Sequence, residues 1–178
     1  MTKLLHDLLT VSAQRRPDAT AVRIKGHNVN YADLANLTAS AANGLLQAGL
    51  RRQDRVAIYL PKRLETVAAI FATTMAGGVF VPVNPLLKPA QVGHILRDCA
   101  ARIMVTTGQR MSELVTVIRD CVDLRTIILV DSPPTDQIES DKTTIDWREL
   151  LTSATHVNSP VIIDVDMASI IYTSGSTG

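Results

Sequence analysis

Residues 168–178 read ASIIYTSGSTG, an apolar run followed by a loop of small residues. The β-branched and aromatic residues Ile170, Ile171 and Tyr172 favour a strand. Glycines permit positive φ and a close backbone approach to a ligand, and successive N–H groups in such a turn form an anion-binding nest. The sequence therefore predicts a phosphate-binding loop made of Thr173, Ser174, Gly175, Ser176, Thr177 and Gly178. Taken alone, a run of Gly, Ser and Thr also fits a flexible tail, so the other residues have to decide.

Length and composition predict a single globular domain. The chain has 178 residues, of which 46% are hydrophobic and 20% are charged. A net charge of +1 and an aromatic content of 3% exclude the basic, base-stacking surface that nucleic-acid binding uses. No apolar run reaches the ~20 residues of a membrane span, so we expect no transmembrane segment. Asp7 interrupts the N-terminal apolar run where a signal peptide needs continuity, and we expect a cytoplasmic protein.

Cysteine and histidine usage predicts neither a disulfide framework nor a metal site. Cys99 and Cys121 form no C-x-x-C motif, and the four histidines are scattered along the chain. Both cysteines follow helical patterns, and we expect them to be small buried residues.

Alternating helix and strand signals run through the chain. Short continuous apolar runs indicate buried parallel strands, and apolar residues three or four apart indicate helices. The pattern predicts an α/β fold with a mostly parallel sheet flanked by helices, and a short N-terminal hairpin whose return strand begins at Val29. The predicted helices are 4–16, 31–48, 64–76, 89–99, 111–121 and 145–151, and the predicted strands are 19–25, 56–60, 79–83, 101–106, 126–130 and 170–172, with a surface loop at 131–144.

Local signals predict where helices begin, end and face the core. Asn30 is a good N-cap with Asp33 three residues later, and Gly49 is a natural helix end. Gly77 and Gly78 are a lesser candidate for a phosphate site, but a helix end followed by a strand fits them better. The core face of the helix at 64–76 is predicted to consist of Leu64, Val67, Ala68, Phe71 and Met75.

The largest basic group is Arg51 and Arg52 with Arg55. It is too small to indicate a nucleic-acid surface, and we expect it to be a solvated loop.

Four stretches in this order resemble the adenylate-forming enzymes, a family of acyl- and aryl-CoA ligases, luciferases and peptide-synthetase adenylation domains. The most specific is 172–178, which matches the family's phosphate loop. Residues 30–34 resemble its Thr/Ser-Tyr-x-Glu-Leu helix start, and residues 45–58 resemble its L-x-x-x-G segment leading to D-x-V-A-I. Residues 76–85 resemble its A-G-G-x-[YF]-V-P motif. Asn30 and Asp33 depart mildly from the first pattern but keep its capping chemistry.

The resemblance implies ligation of a carboxylic acid to CoA. A carboxylate attacks the α-phosphorus of ATP to give an acyl-adenylate and pyrophosphate, and the thiol of CoA then displaces AMP. By resemblance, residues 173–178 wrap the β- and γ-phosphates of ATP, which Mg²⁺ accompanies. Thr173 and Thr177 are then the best hydroxyl ligands, and Gly175 and Gly178 allow the backbone to approach. Fatty acid metabolism is the expected process, and no catalytic residue of the family falls within these positions.

The resemblance covers only the N-terminal part of a typical member. Residues 1–178 then form an incomplete N-terminal subdomain that ends in the loop 172–178, and we expect it to be inactive by itself. We also expect self-association through the face that truncation leaves exposed. Two alternatives stay open: an adenylation domain that loads a carrier protein, and a non-catalytic module that binds a nucleotide or a partner. Asn84 favours the CoA ligases, because the peptide-synthetase domains more often carry Asp there.

Overall fold

A computed structural model describes residues 4–131, 142–152, 158 and 160–173. Within them the helices are α1 (Asp7–Arg15), α2 (Tyr31–Gln47), α3 (Leu64–Met75), α4 (Pro89–Asp98), α5 (Gly108–Ile118) and α6 (Trp147–Thr152). The strands are β1 (Thr20–Ile24), β2 (His27–Asn30), β3 (Arg55–Ile58), β4 (Val79–Pro82), β5 (Ala101–Thr106), β6 (Thr126–Leu129) and β7 (Thr143–Asp146). β1 and β2 form an antiparallel hairpin, and the other strands form one parallel sheet in the order β4-β3-β5-β6-β7. The predicted α/β class, parallel sheet and hairpin are therefore confirmed.

Helices cover both faces of the parallel sheet. Val56 and Ile58 of β3 point into a cluster with α2, α3 and α6, whereas Ala57 between them points into a second cluster with α4 and α5. Because neighbouring residues of a strand face opposite sides, both sides of β3 need apolar residues. This two-sided burial explains the continuous apolar runs that predicted the strands.

The core face of α3 differs from the predicted one. Leu64, Val67, Phe71 and Met75 are only half-buried, and the most buried positions are Ala68, Ala69, Ala72, Thr73 and Thr74. Small side chains let α3 lie close to the sheet and to α2, and the bulky side chains fill the margins of the contact. Of the predicted face, only Ala68 is fully buried.

The predicted helix ends are confirmed by their hydrogen bonds. Asn30 Oδ1 accepts the Asp33 N–H at 2.7 Å, which caps the first turn of α2. Gly49 has φ +90°, and the Leu50 N–H donates to the Leu45 carbonyl at 3.0 Å to close the last turn.

The glycine pair ends α3 in the same way. The Gly77 and Gly78 N–H groups donate to the Thr74 and Thr73 carbonyls at 3.1 and 2.8 Å. Both donors serve the end of the helix, so the lesser hypothesis of a phosphate site at this pair has no free backbone donor to support it.

Several predicted boundaries are wrong, and tertiary contacts explain them. Residues 143–146 form β7 instead of loop and helix, because they pair with β6 along the sheet. The predicted strand 170–172 is reduced to one parallel bridge between Ser169 and Phe80. The hairpin turns at Lys25 and Gly26, both with positive φ, so its return strand begins at His27. Helix α5 begins at Gly108 because Thr107 caps it.

No helix in the part of the chain that the structure describes is long and apolar enough to cross a bilayer.

Candidate functional site

The predicted phosphate loop is described only at its first residue. Thr173 is exposed, and Ser174, Gly175, Ser176, Thr177 and Gly178 lie outside the described residues. The structure does describe residues 163–173, called here the lead segment, which carries the chain to that loop.

An ion pair fixes the beginning of the lead segment. Arg52 donates from Nε to Asp166 Oδ2 at 2.9 Å and from Nη2 to Oδ1 at 2.6 Å, so the guanidinium engages both carboxylate oxygens. Asp166 Oδ2 also accepts the Ile163 N–H at 3.1 Å, which closes the turn at 163–166. The hydrogen bonds from Arg52 hold the pKa of Asp166 below its ordinary value.

Backbone hydrogen bonds then lay the lead segment against β4. Gln53 Nε2 donates to the Met167 carbonyl at 3.3 Å. The Phe80 N–H donates to the Ala168 carbonyl at 3.0 Å, and the Ile170 N–H donates to the Phe80 carbonyl at 3.1 Å. The segment therefore runs in the direction of β4, on the side of β4 away from β3.

Tyr172 anchors the last residue before the loop. Its ring packs with Ile170 against the second cluster, and its hydroxyl donates to Asp98 Oδ2 at 2.5 Å. Burial, followed by the contact with Asp98, raises the pKa of Tyr172 far above its ordinary value. The hydroxyl consequently stays protonated as a donor, and the candidate loop begins directly after a held residue.

The expectation of a solvated basic loop is wrong for Arg55, which is half-buried, whereas Arg51 and Arg52 are exposed. Arg52 holds the lead segment, and Arg55 donates to the Cys99 and Ala100 carbonyls at 2.5 and 2.7 Å, capping the end of α4 next to Asp98. Sequence reasoning missed these contacts because Arg52 and Asp166 are separated by 114 positions and no local period relates them. The motif at 172–178 is the sequence signal that could have indicated such contacts, because a phosphate-binding loop needs the residues before it to be held in place.

A cavity of about 580 Å³ lies beside the lead segment. Its apolar walls come from α1 and its preceding residues and from 162–168, and Gln53 and the Gly77-Gly78 pair close one side. His6 also lines it, and burial lowers the pKa of His6. Its buried Nδ1 has no hydrogen-bond partner among the described residues. Four large apolar side chains of the cavity rim are exposed, namely Leu8, Val11, Ile163 and Met167.

The two cysteines are buried free thiols, as predicted. Burial raises the pKa of Cys99 and of Cys121, which keeps both thiols protonated and unreactive. Among the described residues, no three His, Cys, Asp or Glu side chains are grouped so that they could hold a metal ion.

Comparison with known proteins agrees with this geometry. Residues 9–178 match the model of the family described as AMP-binding enzyme. The feruloyl-CoA synthase of an Amycolatopsis species is 31% identical over 166 residues, which are 93% of this chain and 30% of that protein. Tyrocidine synthase 3 of Brevibacillus parabrevis is 30% identical over 179 residues, which are 99% of this chain and 2% of that protein.

A solved structure has the same fold. It is the crystal structure of the anthranilate CoA ligase AuaEII in complex with anthranoyl-AMP, with a TM-score of 0.84 and 22% sequence identity. The match covers 99% of this chain and 33% of that ligase. The chain thus spans about 30% of the feruloyl-CoA synthase and 33% of AuaEII. With the family model matched over residues 9–178, this chain belongs to the AMP-binding enzyme family.

Proposed function

We propose that this chain is the N-terminal part of an ATP-dependent carboxylic acid:CoA ligase, which forms an acyl-adenylate and then a thioester. The match of residues 9–178 to the AMP-binding family carries this proposal. The similarity to a feruloyl-CoA synthase over 93% of the chain supports CoA as the acceptor thiol. Fatty acid metabolism is the proposed process, and aromatic acids are a competing substrate class because that relative is named for one.

In this proposal residues 173–178 bind the β- and γ-phosphates of ATP. Negative charge develops on these phosphates as the acid attacks the α-phosphorus, and preorganised donors stabilise it. The hydroxyls of Thr173 and Thr177 and the backbone N–H groups at Gly175 and Gly178 supply such donors. Magnesium enters with ATP and neutralises part of the phosphate charge. The anchored Tyr172 supports this assignment, because it gives the loop a fixed starting point.

Titration of the isotope-labelled chain with Mg-ATP, followed by NMR, tests the loop. We expect the amide resonances of 173–178 to shift, and the double variant Gly175→Val with Thr177→Ala to abolish the shifts. Ser112→Ala, an exposed hydroxyl change on α5, is the matched control and should bind as the unchanged chain does. Shifts confined to other residues, or no shifts at all, would contradict the assignment.

Catalysis is proposed to need more than residues 1–178. The chain spans about a third of the ligases that it matches, so we expect no ATP–pyrophosphate exchange by these residues alone. Clear exchange above that of the Gly175→Val, Thr177→Ala variant would show that the chain is sufficient, and would overturn this part of the proposal.

A carrier-protein adenylation domain is the second candidate. The observation that favours it is the similarity to tyrocidine synthase 3 over 99% of the chain. Reading the coding DNA beyond codon 178 separates the candidates, since a carrier domain after the adenylation region indicates loading of a carrier protein. If the coding sequence continues as a ligase and no carrier domain follows, CoA is favoured as the acceptor. A stop codon after Gly178 would instead favour the third candidate, nucleotide or partner binding without turnover.

We place the protein in the cytoplasm as part of this proposal. Two free, buried thiols fit a reducing compartment, where disulfides are rare. Fractionation of cells that express the chain at its natural level tests this location, and recovery with a membrane or secreted fraction would contradict it.

A further inference from the structure

We propose that Arg52 and Gln53 are positioning residues of the candidate phosphate loop. Through Asp166 and Met167 they fix the register in which the lead segment joins β4, and so the point at which Thr173 begins the loop. The inference rests on the proposed function for the role of the loop, whereas the contacts themselves are independent of that role.

The contact between Arg52 and Asp166 is directional. Both carboxylate oxygens accept from one guanidinium, at 2.9 and 2.6 Å, and this fork geometry fixes the orientation of the pair as well as its distance. Asp166 is the more enclosed partner, with its side chain 11% exposed against 44% for Arg52. Because Asp166 also closes the turn through the Ile163 N–H, holding its carboxylate holds the backbone of that turn.

The turn that supplies Arg52 and Gln53 is itself fixed. Gln53 has φ +65°, and its N–H donates to the Gly77 carbonyl at 2.8 Å. Asp54 Oδ2 accepts the Arg51 N–H at 2.9 Å. These hydrogen bonds tie the connection between α2 and β3 to the end of α3, and Arg52 and Gln53 extend from this connection to the lead segment.

Register matters because, within the residues that the structure describes, the lead segment pairs with the sheet by one bridge, between Ser169 and Phe80. A slip by one residue would move Thr173 by about 3.3 Å along the strand direction and reverse the side on which every side chain lies. Ile170 and Tyr172 would then leave the second cluster, and the Tyr172 contact with Asp98 would be lost. The packing of Ile170 and Tyr172 specifies the register at the end of the segment next to the loop, and the contacts of Asp166 and Met167 specify it at the other end.

Amide hydrogen exchange of the 178-residue chain tests the inference. In Arg52→Ala we expect exchange of the hydrogen-bonded amides of Ile163, Phe80 and Ile170 to rise several-fold, while amides of β3 and β5 keep their protection. Arg51→Ala, one position earlier in the same turn, is the matched control and should leave this exchange unchanged. Arg52→Lys keeps one charged donor and should restore part of the protection.

Two results would overturn the inference. One is unchanged exchange of the Ile163, Phe80 and Ile170 amides in Arg52→Ala. The other is a rise that extends equally over β3 and β5, because that would mean global destabilisation instead of local positioning.

Titration with Mg-ATP separates this inference from the proposed function. If the unchanged chain binds Mg-ATP at the loop, Arg52→Ala should raise the apparent Kd in proportion to the fraction of molecules whose lead segment has left its register. Equal affinity in a variant whose lead segment is mostly out of register would overturn the positioning role. If the unchanged chain does not bind Mg-ATP, the proposed function of the loop fails, and exchange alone decides whether Arg52 sets the register.

Discussion

Asp166 should titrate as a carboxylate that is held ionised by Arg52. Hydrogen bonds from Arg52 lower the pKa of Asp166 from its ordinary value of 3.8. A lowered folded-state pKa gives stability that is present above the unfolded pKa and is lost as the pH falls through the folded pKa. The lead segment should therefore be equally protected at pH 7 and at pH 5, and should loosen only below about pH 4.

The side-chain carbon resonance of Asp166 provides the measurement. Its titration midpoint should lie below 3.8 in the unchanged chain and return toward about 3.9 in Arg52→Ala. Equal midpoints in the two chains would show that the pair does not persist in solution. A transition of the lead segment near pH 6 would point to a histidine instead of Asp166.

Residues whose partners are near in sequence were predictable, and those with distant partners were not. The cap at Asn30 and the helix end at Gly49 follow from chemistry within five residues, and both predictions are confirmed. Arg52 has the same local appearance as its neighbour Arg51, and only the folded chain brings Asp166 to it. Whether Thr173 to Gly178 bind phosphate stays a prediction.

At the scale of elements, the contact between α2 and α6 depends on Gly44. A Cβ added at Gly44 would lie 2.3 Å from the Leu150 carbonyl oxygen and 2.6 Å from Leu150 Cγ. Gly44→Ala gains roughly 1 kcal/mol of intrinsic helix propensity. We nevertheless expect a net loss of about 1–3 kcal/mol in the free energy of unfolding, because α6 has to move.

Urea denaturation gives the comparison, with Ser40→Ala as the control. Ser40 is exposed on the same helix, so its replacement should change stability by less than about 0.5 kcal/mol. A Gly44→Ala chain that is more stable than the unchanged one would mean that α6 does not pack this closely on α2.

Buried elements were easier to predict than those at the edges of the sheet. The inner strands have continuous apolar runs because both of their faces are buried. One of them, β5, was therefore predicted with the observed bounds. The sequence of β7, Thr-Thr-Ile-Asp, carries no such run, and its strand conformation comes from pairing with β6. At the opposite edge, Ile170 to Tyr172 have strand propensity but only the Ser169–Phe80 bridge to the sheet.

At the scale of the molecule, an apolar surface surrounds the cavity beside the lead segment. Leu8, Val11, Ile163 and Met167 are exposed by 65%, 40%, 44% and 53% and line the same cavity. Grouped apolar side chains of this kind mark contact surfaces. We expect this rim to pair with the rim of a second copy, so that the 178-residue chain associates as its concentration rises.

Sedimentation velocity over a concentration series tests this association. The unchanged chain should sediment faster as its concentration increases, whereas the double variant Leu8→Ser, Ile163→Ser should remain a monomer. Val122→Ser is the matched control, since Val122 is 70% exposed and lies outside the cavity lining. Association that survives in the rim variant, or that is lost equally in Val122→Ser, would place the contact elsewhere. A monomer at every concentration would mean that the rim is not sufficient to hold two copies together, because the apolar area that it buries does not offset the loss of translational and rotational freedom on association.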